Sequence, residues 1–277
     1  MASNTLKMKT ENSPLEVKQE KPKLENLLKD TLKDFDKDCI HKFRLEIKKL
    51  KAVMQLVHTA HKSFDNKKKY GVISPIYKDL GAIRETQIQQ EGFNENSKNY
   101  KAAFRKRYKK LLDEELLQRQ DVVLGNFDES IIKSLKKIKR QIKNALKNMS
   151  SNDFKNYFKS RVSKLRKTFD SIDFSDKKMH SMRKLIKEIK FNIRYKHKLA
   201  EKWLSKYNIS SAILEDLQKL LGQWQDNVVL KEKLVQQEST LLLSKSESKA
   251  LIQLKSNIES ETALIKDKIK KVLTVDY

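Results

Sequence analysis

The stretch that decides the fold is IHKFRLEIKKLKAVMQLV, residues 40–57. Its apolar residues recur every three or four positions, which is the spacing of one face of an α-helix. The face that we assign to the core consists of Phe43, Ile47, Leu50, Met54 and Val57. Offsets of 0, 3, 7 and 10 residues fall within about 80° of each other at 3.6 residues per turn, so four polar residues share a different face. They are His41, Arg44, Lys48 and Lys51. The stretch predicts a helix that packs on one side and is positively charged on another.

The same pattern returns in HSMRKLIKEIK, residues 180–190. Its polar face contains His180, Arg183, Lys187, Lys190 and Arg194, and its inward face contains Met182, Ile186, Ile189 and Ile193. A second pair of segments follows in the same order and at nearly the same distance, LGAIRETQI from Leu80 and LGQWQDNVV from Leu221. This order predicts an internal duplication. Its period of roughly 140 residues is too long for a solenoid repeat and suits two similar helical bundles.

The composition favours an all-α protein with an anionic partner. Only 5 Gly and 3 Pro occur in 277 residues, so the many tight turns of a β-protein are not expected. The net charge of +25 attracts polyanions, which leaves nucleic acid, an anionic membrane surface or a phosphate polymer as candidate partners. Cys39 is the single cysteine, which excludes an intrachain disulfide. No apolar run reaches the length of about 18 residues that a membrane span needs.

The expected organisation is a disordered polar tail over residues 1–23, followed by two halves over about 24–150 and 151–277. SSND, residues 150–153, is typical of a capped helix start and marks the boundary between the halves. The tail lacks the apolar core of a signal peptide, so the expected location is the cytoplasm. Pro75 suits the first turn of a helix that ends near Gly92. Further helices are predicted over about 24–35, 40–64, 97–122, 129–149, 154–169, 177–206, 210–238 and 243–273.

A further basic helix is predicted within residues 130–152, which hold seven basic residues and no acid before Asn152. One face carries Lys133, Lys136, Lys137, Arg140, Lys143 and Lys147, and the opposite face is apolar. Like charges on neighbouring turns repel each other, whereas solvated helix faces usually mix signs. The His-led faces have the same property. We therefore interpret all three faces as polyanion-binding surfaces.

The two leading histidines are expected to donate hydrogen bonds to phosphate oxygens rather than to bind a metal. No HxxxH or HExxH pair is present, and the neighbouring cations would repel a metal ion. Glu85 and Asp226 occupy matching positions after the LG motifs and are expected to orient nearby basic side chains. Neither is accompanied by a second carboxylate or a base, so no catalytic residue is predicted. Gly81 and Gly222 are expected to allow close helix approach.

In this order, the four motifs resemble the CHAD family (conserved histidine α-helical domain), over most of residues 25–275. The resemblance implies two helical bundles related by a pseudo-twofold axis, with a basic central channel that binds inorganic polyphosphate. By position, the first basic motif corresponds to His41, Arg44, Lys48, Lys49 and Lys51, and the second to His180, Arg183, Lys187 and Lys190. To these we add, from the basic faces, Arg194, Lys133, Lys137 and Arg140.

The resemblance has departures. Lys stands at 48, 49, 51 and 190, where Arg is common in the family, and Lys is the less bidentate phosphate binder. Glu188 replaces an expected basic residue, and Glu85 replaces the usual Asp of the first LG motif. Some members of the family are fused to a CYTH triphosphatase domain, but no ExExK motif occurs here. We therefore expect a non-enzymatic protein without a cofactor, whose ligand is polyphosphate and which could associate with polyphosphate granules.

The sequence leaves three alternatives open. A protein that binds RNA or single-stranded DNA needs aromatic stacking platforms among its basic residues, and Tyr100, Phe104 and Tyr108 lie beside Arg105 and Arg107. The His-led faces hold no aromatic residue, which favours a ligand without bases. A polyphosphate-processing enzyme would need carboxylates that hold Mg²⁺. Binding to a membrane surface would be expected to involve an anchoring aromatic belt. Neither requirement is met by the basic faces.

Overall fold

The computed structural model describes residues 23–97, 102–171, 173–238 and 243–274. Within these ranges the chain forms ten α-helices and no β-strand, which confirms the all-α prediction. The helices are α1 (Leu24–Asp34), α2 (Lys37–Ala60), α3 (Asn66–Asn96), α4 (Ala102–Asn126), α5 (Ser130–Lys147), α6 (Ser151–Asp170), α7 (Asp176–Ile193), α8 (His197–Lys206), α9 (Ser211–Glu238) and α10 (Lys245–Thr274). The predicted N-terminal tail lies outside the described residues, except for Lys23.

The position of Pro75 differs from the prediction. It lies inside α3 rather than in the first turn, because Asp65 caps the helix by accepting a hydrogen bond from the Lys68 amide (2.9 Å). A proline inside a helix leaves the carbonyl four residues earlier without its amide donor. That carbonyl belongs to Gly71, and the hydroxyl of Ser74 donates to it at 3.3 Å. The neighbouring serine thus compensates part of the lost hydrogen bonding.

The predicted helix over 177–206 is in fact two helices. The chain leaves α7 at residues 194–196 through two short-range hydrogen bonds, from Tyr195 N to Asn192 O and from Lys196 N to Ile193 O, both 3.1 Å. The change of direction lets α8 pack against α6. Three apolar side chains of α8 become buried there: Ala200, Trp203 and Leu204. No glycine or proline marks this break, so burial of these side chains decides it.

The apolar faces of α2 and α7 form the centre of the core, as predicted. Phe43, Ile47, Met54 and Val57 are almost fully buried, and so are the inward residues of α7 other than the half-buried Ile193. Helix α2 packs against α7, and also against α1, α3, α5 and α6. Helix α3 packs against α4 and α9, while α9 packs against α7 and α10. Elements of the two predicted halves therefore share one core.

A buried polar contact joins α2 to α7. The side-chain amide of Asn192 donates to the Ala52 carbonyl at 2.9 Å and to the Tyr157 hydroxyl at 2.6 Å. Tyr157 in turn donates to Glu188 at 3.0 Å, and Glu188 forms an ion pair with Arg161 at 2.8 Å. Because buried polar groups need partners, this network favours one packing of α7 against α2 and α6.

The predicted boundary at SSND is a capped helix start. Ser150 Oγ accepts from the Asp153 amide at 3.2 Å, and the Ser150 amide donates to Asp153 Oδ2 at 2.8 Å, which makes a capping box. The division of the chain into two halves at this point stays a prediction.

A smaller apolar cluster lies where α3, α4, α9 and α10 meet. Its aromatic members are Phe93, Phe104 and Tyr108, with Phe93 and Tyr108 stacked at 4.1 Å between ring centres. Gly92 contributes by its lack of a side chain, since a Cβ there would come within 2.9 Å of Leu230. No helix among the described residues is long and apolar enough to cross a membrane.

Candidate polyanion-binding site

The positive faces of α2 and α7 converge in space. Burial and the charges of Lys187, Arg44 and Arg183 lower the pKa of Lys48 to about 7. Burial and the charge of Arg183 lower the pKa of Lys187 to about 8. Burial is the larger cause, but the charges of Arg183 and Lys187 on α7 also act on Lys48 of α2, which charges do appreciably only at short range. Side chains from both predicted halves therefore form one group.

We name this group the central basic cluster. It consists of His41, Arg44 and Lys48 from α2, Arg84 from α3, and Arg183 and Lys187 from α7. The packing of α2 against α7 explains the convergence, since the core faces meet and the basic faces adjoin them on the same side. Arg84 was not predicted as a site residue. In the sequence, Arg84 is the single basic residue of the LGAIRE motif, and this was the one sign of its role.

One carboxylate, that of Asp226 on α9, lies among these cations. Burial raises its pKa, whereas the charges of Arg183, Lys187 and Arg84 lower it. Asp226 remains accessible to solvent, so the cluster itself is open to an incoming ligand. The predicted orienting role of Asp226 fits its position beside Arg183, whose pKa burial lowers and Asp226 raises. Glu85, the matching residue of the first motif, makes no hydrogen bond or ion pair with the described part of the chain.

Two arginines of the cluster have buried N–H groups without an acceptor among the described residues. They are the Nε of Arg183 and the Nη1 of Arg84. A carboxylate oxygen of Glu91 lies 3.8 Å from Arg84 Nη1, too far for a hydrogen bond. Buried donors without partners cost free energy, so these two arginines are held at a cost to the stability of the free protein.

The two leading histidines each lie near a residue of the LG motif in their own half. His180 Nδ1 lies 2.8 Å from Gln225 Oε1, and since that oxygen only accepts, the imidazole donates. Gln225 is the fifth residue of the second LG motif, and Arg84 is the fifth residue of the first. Partial burial and the charges of Arg84 and Lys48 lower the pKa of His41. Each histidine thus lies near the same motif position, the fifth residue, of a later helix in its own predicted half; the duplication itself stays a prediction.

Arg44 is the most firmly held cation of the cluster. Its Nη1 donates to the Tyr77 carbonyl at 2.5 Å, and its guanidinium carbon lies 4.3 Å from the centre of the Tyr77 ring. The guanidinium also rests on Gly81, where a Cβ would come within 3.0 Å of the guanidinium carbon. Gly81 therefore makes room for Arg44, rather than for a neighbouring helix as predicted. A Cβ at Gly222 would meet nothing within 4 Å, so no close approach occurs there either.

This difference between the glycines is testable with Gly81→Ala and Gly222→Ala. Alanine in a helix interior is favoured over glycine by about 1 kcal/mol, and Gly222→Ala is expected to raise the free energy of unfolding by up to that amount. In Gly81→Ala the gain is offset by about 1.5 kcal/mol, because Arg44 loses its hydrogen bond to Tyr77. Urea unfolding of both variants checks this. Equal stabilisation by the two substitutions would contradict the contact between Gly81 and Arg44.

Four predicted residues of α2 and α7 have partners elsewhere. Lys49 pairs with Glu46 at 2.5 Å, Lys51 lies over the Tyr70 ring at 4.1 Å, and Lys190 lies 3.8 Å from Glu215. Arg194, at the end of α7, donates to the Tyr195 hydroxyl at 3.1 Å. Lys49 points away because it follows Lys48 directly and so lies about 100° further around the helix axis. Lys190 shares the helical face of Arg183 and Lys187, and its ammonium lies near Glu215 on α9.

Glu188, the departure from the expected basic pattern, points away from the cluster. It faces α6 and pairs with Arg161 and Tyr157. Burial raises its pKa, and the charge of Arg161 acts in the opposite direction. Its negative charge therefore serves the packing of α7 on α6.

The three predicted residues of α5, which are Lys133, Lys137 and Arg140, are exposed on the outside of the helix. The strongest charge effects on Lys48 and Lys187 come from α2, α7 and α9 and not from α5. Helix α5 packs on α1, α2 and α3 through its apolar face. The basic face of α5 is thus a separate surface.

Comparison with known proteins identifies the fold and the family. A search of curated proteins found no match. Among solved structures, the chain is similar to the CHAD domain from the plant Ricinus communis, with a TM-score of 0.67 and 14% sequence identity over 90% of this chain and 86% of that one. The CHAD domain family matches residues 23–235. The order of basic helices and LG motifs, the helical fold and this match agree, and the chain belongs to the CHAD domain family.

Proposed function

We propose that the protein binds inorganic polyphosphate without catalysis and that the central basic cluster is the primary contact. The observation that carries the proposal is that basic side chains of α2 and α7 lie together and are partly buried, so that burial and the charges of Lys187, Arg44 and Arg183 all lower the pKa of Lys48. Such an arrangement is unfavourable in the free protein. A polyanion relieves the repulsion between these charges.

The residue types of the cluster suit phosphate. Arg183 and Arg84 offer planar N–H donors, and Lys48 and Lys187 offer point charges. His41 is mainly neutral in the free protein near pH 7, because its pKa lies below the ordinary value. A bound phosphate would raise that pKa and make the imidazolium a charged donor.

The absence of catalysis belongs to the proposal and follows from the kinds of side chain. Phosphoryl transfer commonly depends on carboxylates that hold Mg²⁺. Asp226 is the one carboxylate among the groups that act on Lys48 and Lys187. The described residues contain no group of three His, Cys, Asp or Glu side chains that could hold a metal ion.

The nucleic-acid alternative loses its stacking platform in the described part of the chain. Phe104 and Tyr108 are buried in the smaller apolar cluster with Phe93. Tyr100 lies outside the described residues. The ring of Tyr77, near the central basic cluster, is covered on one face by Arg44. A ligand without bases therefore fits the cluster better. The cytoplasm remains the location that we expect for the protein.

A competition titration tests the proposal. Labelled long-chain polyphosphate is bound to the protein and displaced with unlabelled polyphosphate or with single-stranded DNA of equal total charge. We expect polyphosphate to compete at least about tenfold better, with affinities that fall steeply with salt because counterions are released. Equal competition by the two polymers would favour nonspecific polyanion binding and overturn the proposal. Shortening of the polyphosphate during incubation with Mg²⁺ would overturn its non-enzymatic part.

A further inference from the structure

The outer face of α5 is the strongest charged patch that the central basic cluster does not include. It consists of Lys133, Lys136, Lys137, Arg140, Lys143 and Lys147, all of which are exposed. Among the described residues, none of these six has a carboxylate within ion-pair distance. The seventh cation of the helix, Lys139, points inward and pairs with Glu25 of α1 at 3.4 Å. Before the helix, hydrogen bonds from Ser130 lower the pKa of Asp128, and the charge of Lys133 adds a smaller effect in the same direction.

Other exposed helices of the protein mix charges of both signs. On α4, Lys110 lies 3.8 Å from Glu114, and on α10, Lys270 lies 3.1 Å from Asp267. Helix α5 contains no acid at all, so the repulsion along its outer face is not relieved within the helix. In the central basic cluster Asp226 relieves part of the repulsion, whereas the outer face of α5 has no such carboxylate among the described residues.

The face is long and regular. From Lys133 to Lys147 it extends about 21 Å at 1.5 Å per residue, with a cation on every turn of about 5.4 Å. The buried residues Leu135, Ile138 and Ile142 hold the helix against the core, so the face is rigidly presented. A linear polymer that carries a charge on every unit can contact each turn.

The residue types of the face favour polyphosphate over other polyanions. No aromatic residue occurs in α5, so bases of a single strand would find no stacking platform. Its large apolar residues pack toward the core and are not free to enter a lipid surface. A polymer that consists of phosphates alone needs neither an aromatic stacking platform nor an apolar anchor.

We propose that the outer face of α5 is a second contact surface for long polyphosphate chains, separate from the central basic cluster. The proposal rests on the proposed function. A polyphosphate chain that extends beyond the central basic cluster would then contact both surfaces. The second contact would raise the affinity, because binding at the cluster keeps the rest of the chain at a high local concentration near α5.

The test compares two ligands and three proteins. The α5 variant carries Lys133→Gln, Lys137→Gln, Arg140→Gln and Lys143→Gln, since glutamine preserves helix propensity. The matched control carries Lys62→Gln, Lys202→Gln, Lys249→Gln and Lys268→Gln, four exposed lysines outside both surfaces with the same change in net charge. Each protein, the wild type included, is titrated with tripolyphosphate and with long-chain polyphosphate, and circular dichroism confirms that helicity is retained.

We expect the α5 variant to bind long chains at least about tenfold more weakly than the control, with a shallower salt dependence, because up to four phosphate contacts are lost at about 0.7 in slope for each. Its affinity for tripolyphosphate should match that of the control. Equal affinity of variant and control for long chains would overturn the proposal, and so would equal losses for both ligands. The same three proteins are also titrated with single-stranded RNA and with phosphatidylserine vesicles, and a loss confined to either of these would assign the face to another partner and overturn the proposal as well. Failure of the wild type to bind either phosphate would instead refute the proposed function.

Discussion

The double variant Lys48→Met, Lys187→Met is expected to unfold at a higher temperature than the wild type and yet to bind polyphosphate about 100-fold more weakly. Each lysine supplies a charged contact to phosphate, and loss of one such contact costs roughly a factor of ten or more. The two effects have opposite signs because the same charges that attract the ligand repel each other in the free protein.

The sign of the stability effect follows from the pKa of Lys48. Its value in the folded protein is about 7, against 10.5 for an unperturbed lysine. The unfolded chain therefore binds more protons between these pH values, and the wild type gains stability as the pH rises through that window. The cost of the charge is fully present below pH 7 and disappears above pH 10.5. Discounted for the partial exposure of the side chain, it amounts to about 1–3 kcal/mol.

Thermal unfolding and calorimetric titration at neutral pH measure both effects. At about 2–4 °C for each kcal/mol, the melting temperature should rise by several degrees. The matched control is Lys249→Met, Lys268→Met on α10, which removes two exposed lysines and should change neither quantity appreciably. A lower melting temperature would mean that the two lysines stabilise the fold, and an unchanged affinity would remove them from the binding site.

The two His-led faces could be predicted because periodicity fixes which side chains share one side of a helix. Their convergence could not be predicted from the same pattern. A helical offset gives a direction around the axis, but the relative placement of α2 and α7 depends on long-range contacts such as that between Asn192 and the Ala52 carbonyl. Such contacts join residues that are 140 positions apart and leave no mark in a local pattern.

The differences between the predicted site residues and the central basic cluster also have physical reasons. Arg84 stands in a motif that otherwise looked structural, and its role depends on the packing of α3 beside α2. The Tyr77 carbonyl, which holds Arg44, belongs to the backbone and has no sequence signal. Lys49 and Lys51 matched the motif by position, but Glu46 and the Tyr70 ring are closer partners. Motif position alone does not distinguish a residue that contacts ligand from one with a local partner.

The second large effect is on the pH dependence of binding. Affinity for long-chain polyphosphate is expected to be highest below pH 7 and to fall by at least about tenfold between pH 7 and pH 9. In the free protein the pKa of Lys48 is about 7 and that of Lys187 about 8. Bound phosphate raises both values, so at pH 8 the lysines must take up protons for binding to occur. Above the free-state values this uptake becomes progressively less favourable.

Titration calorimetry at pH 8, in two buffers with different ionisation enthalpies, measures that uptake directly. We expect between one and two protons to be taken up for each polyphosphate bound, since Lys48 is then mostly neutral and Lys187 about half charged in the free protein. Terminal phosphates of the ligand gain negative charge as the pH rises, which would strengthen binding and so cannot produce the expected fall in affinity. In the Lys48→Met, Lys187→Met variant the uptake should fall to the part that His41 contributes, and most of the pH dependence should disappear. Affinity that is constant or rises from pH 7 to pH 9 in the wild type would exclude the two lysines as the titrating contacts, because a cation that binds phosphate must be protonated in the complex.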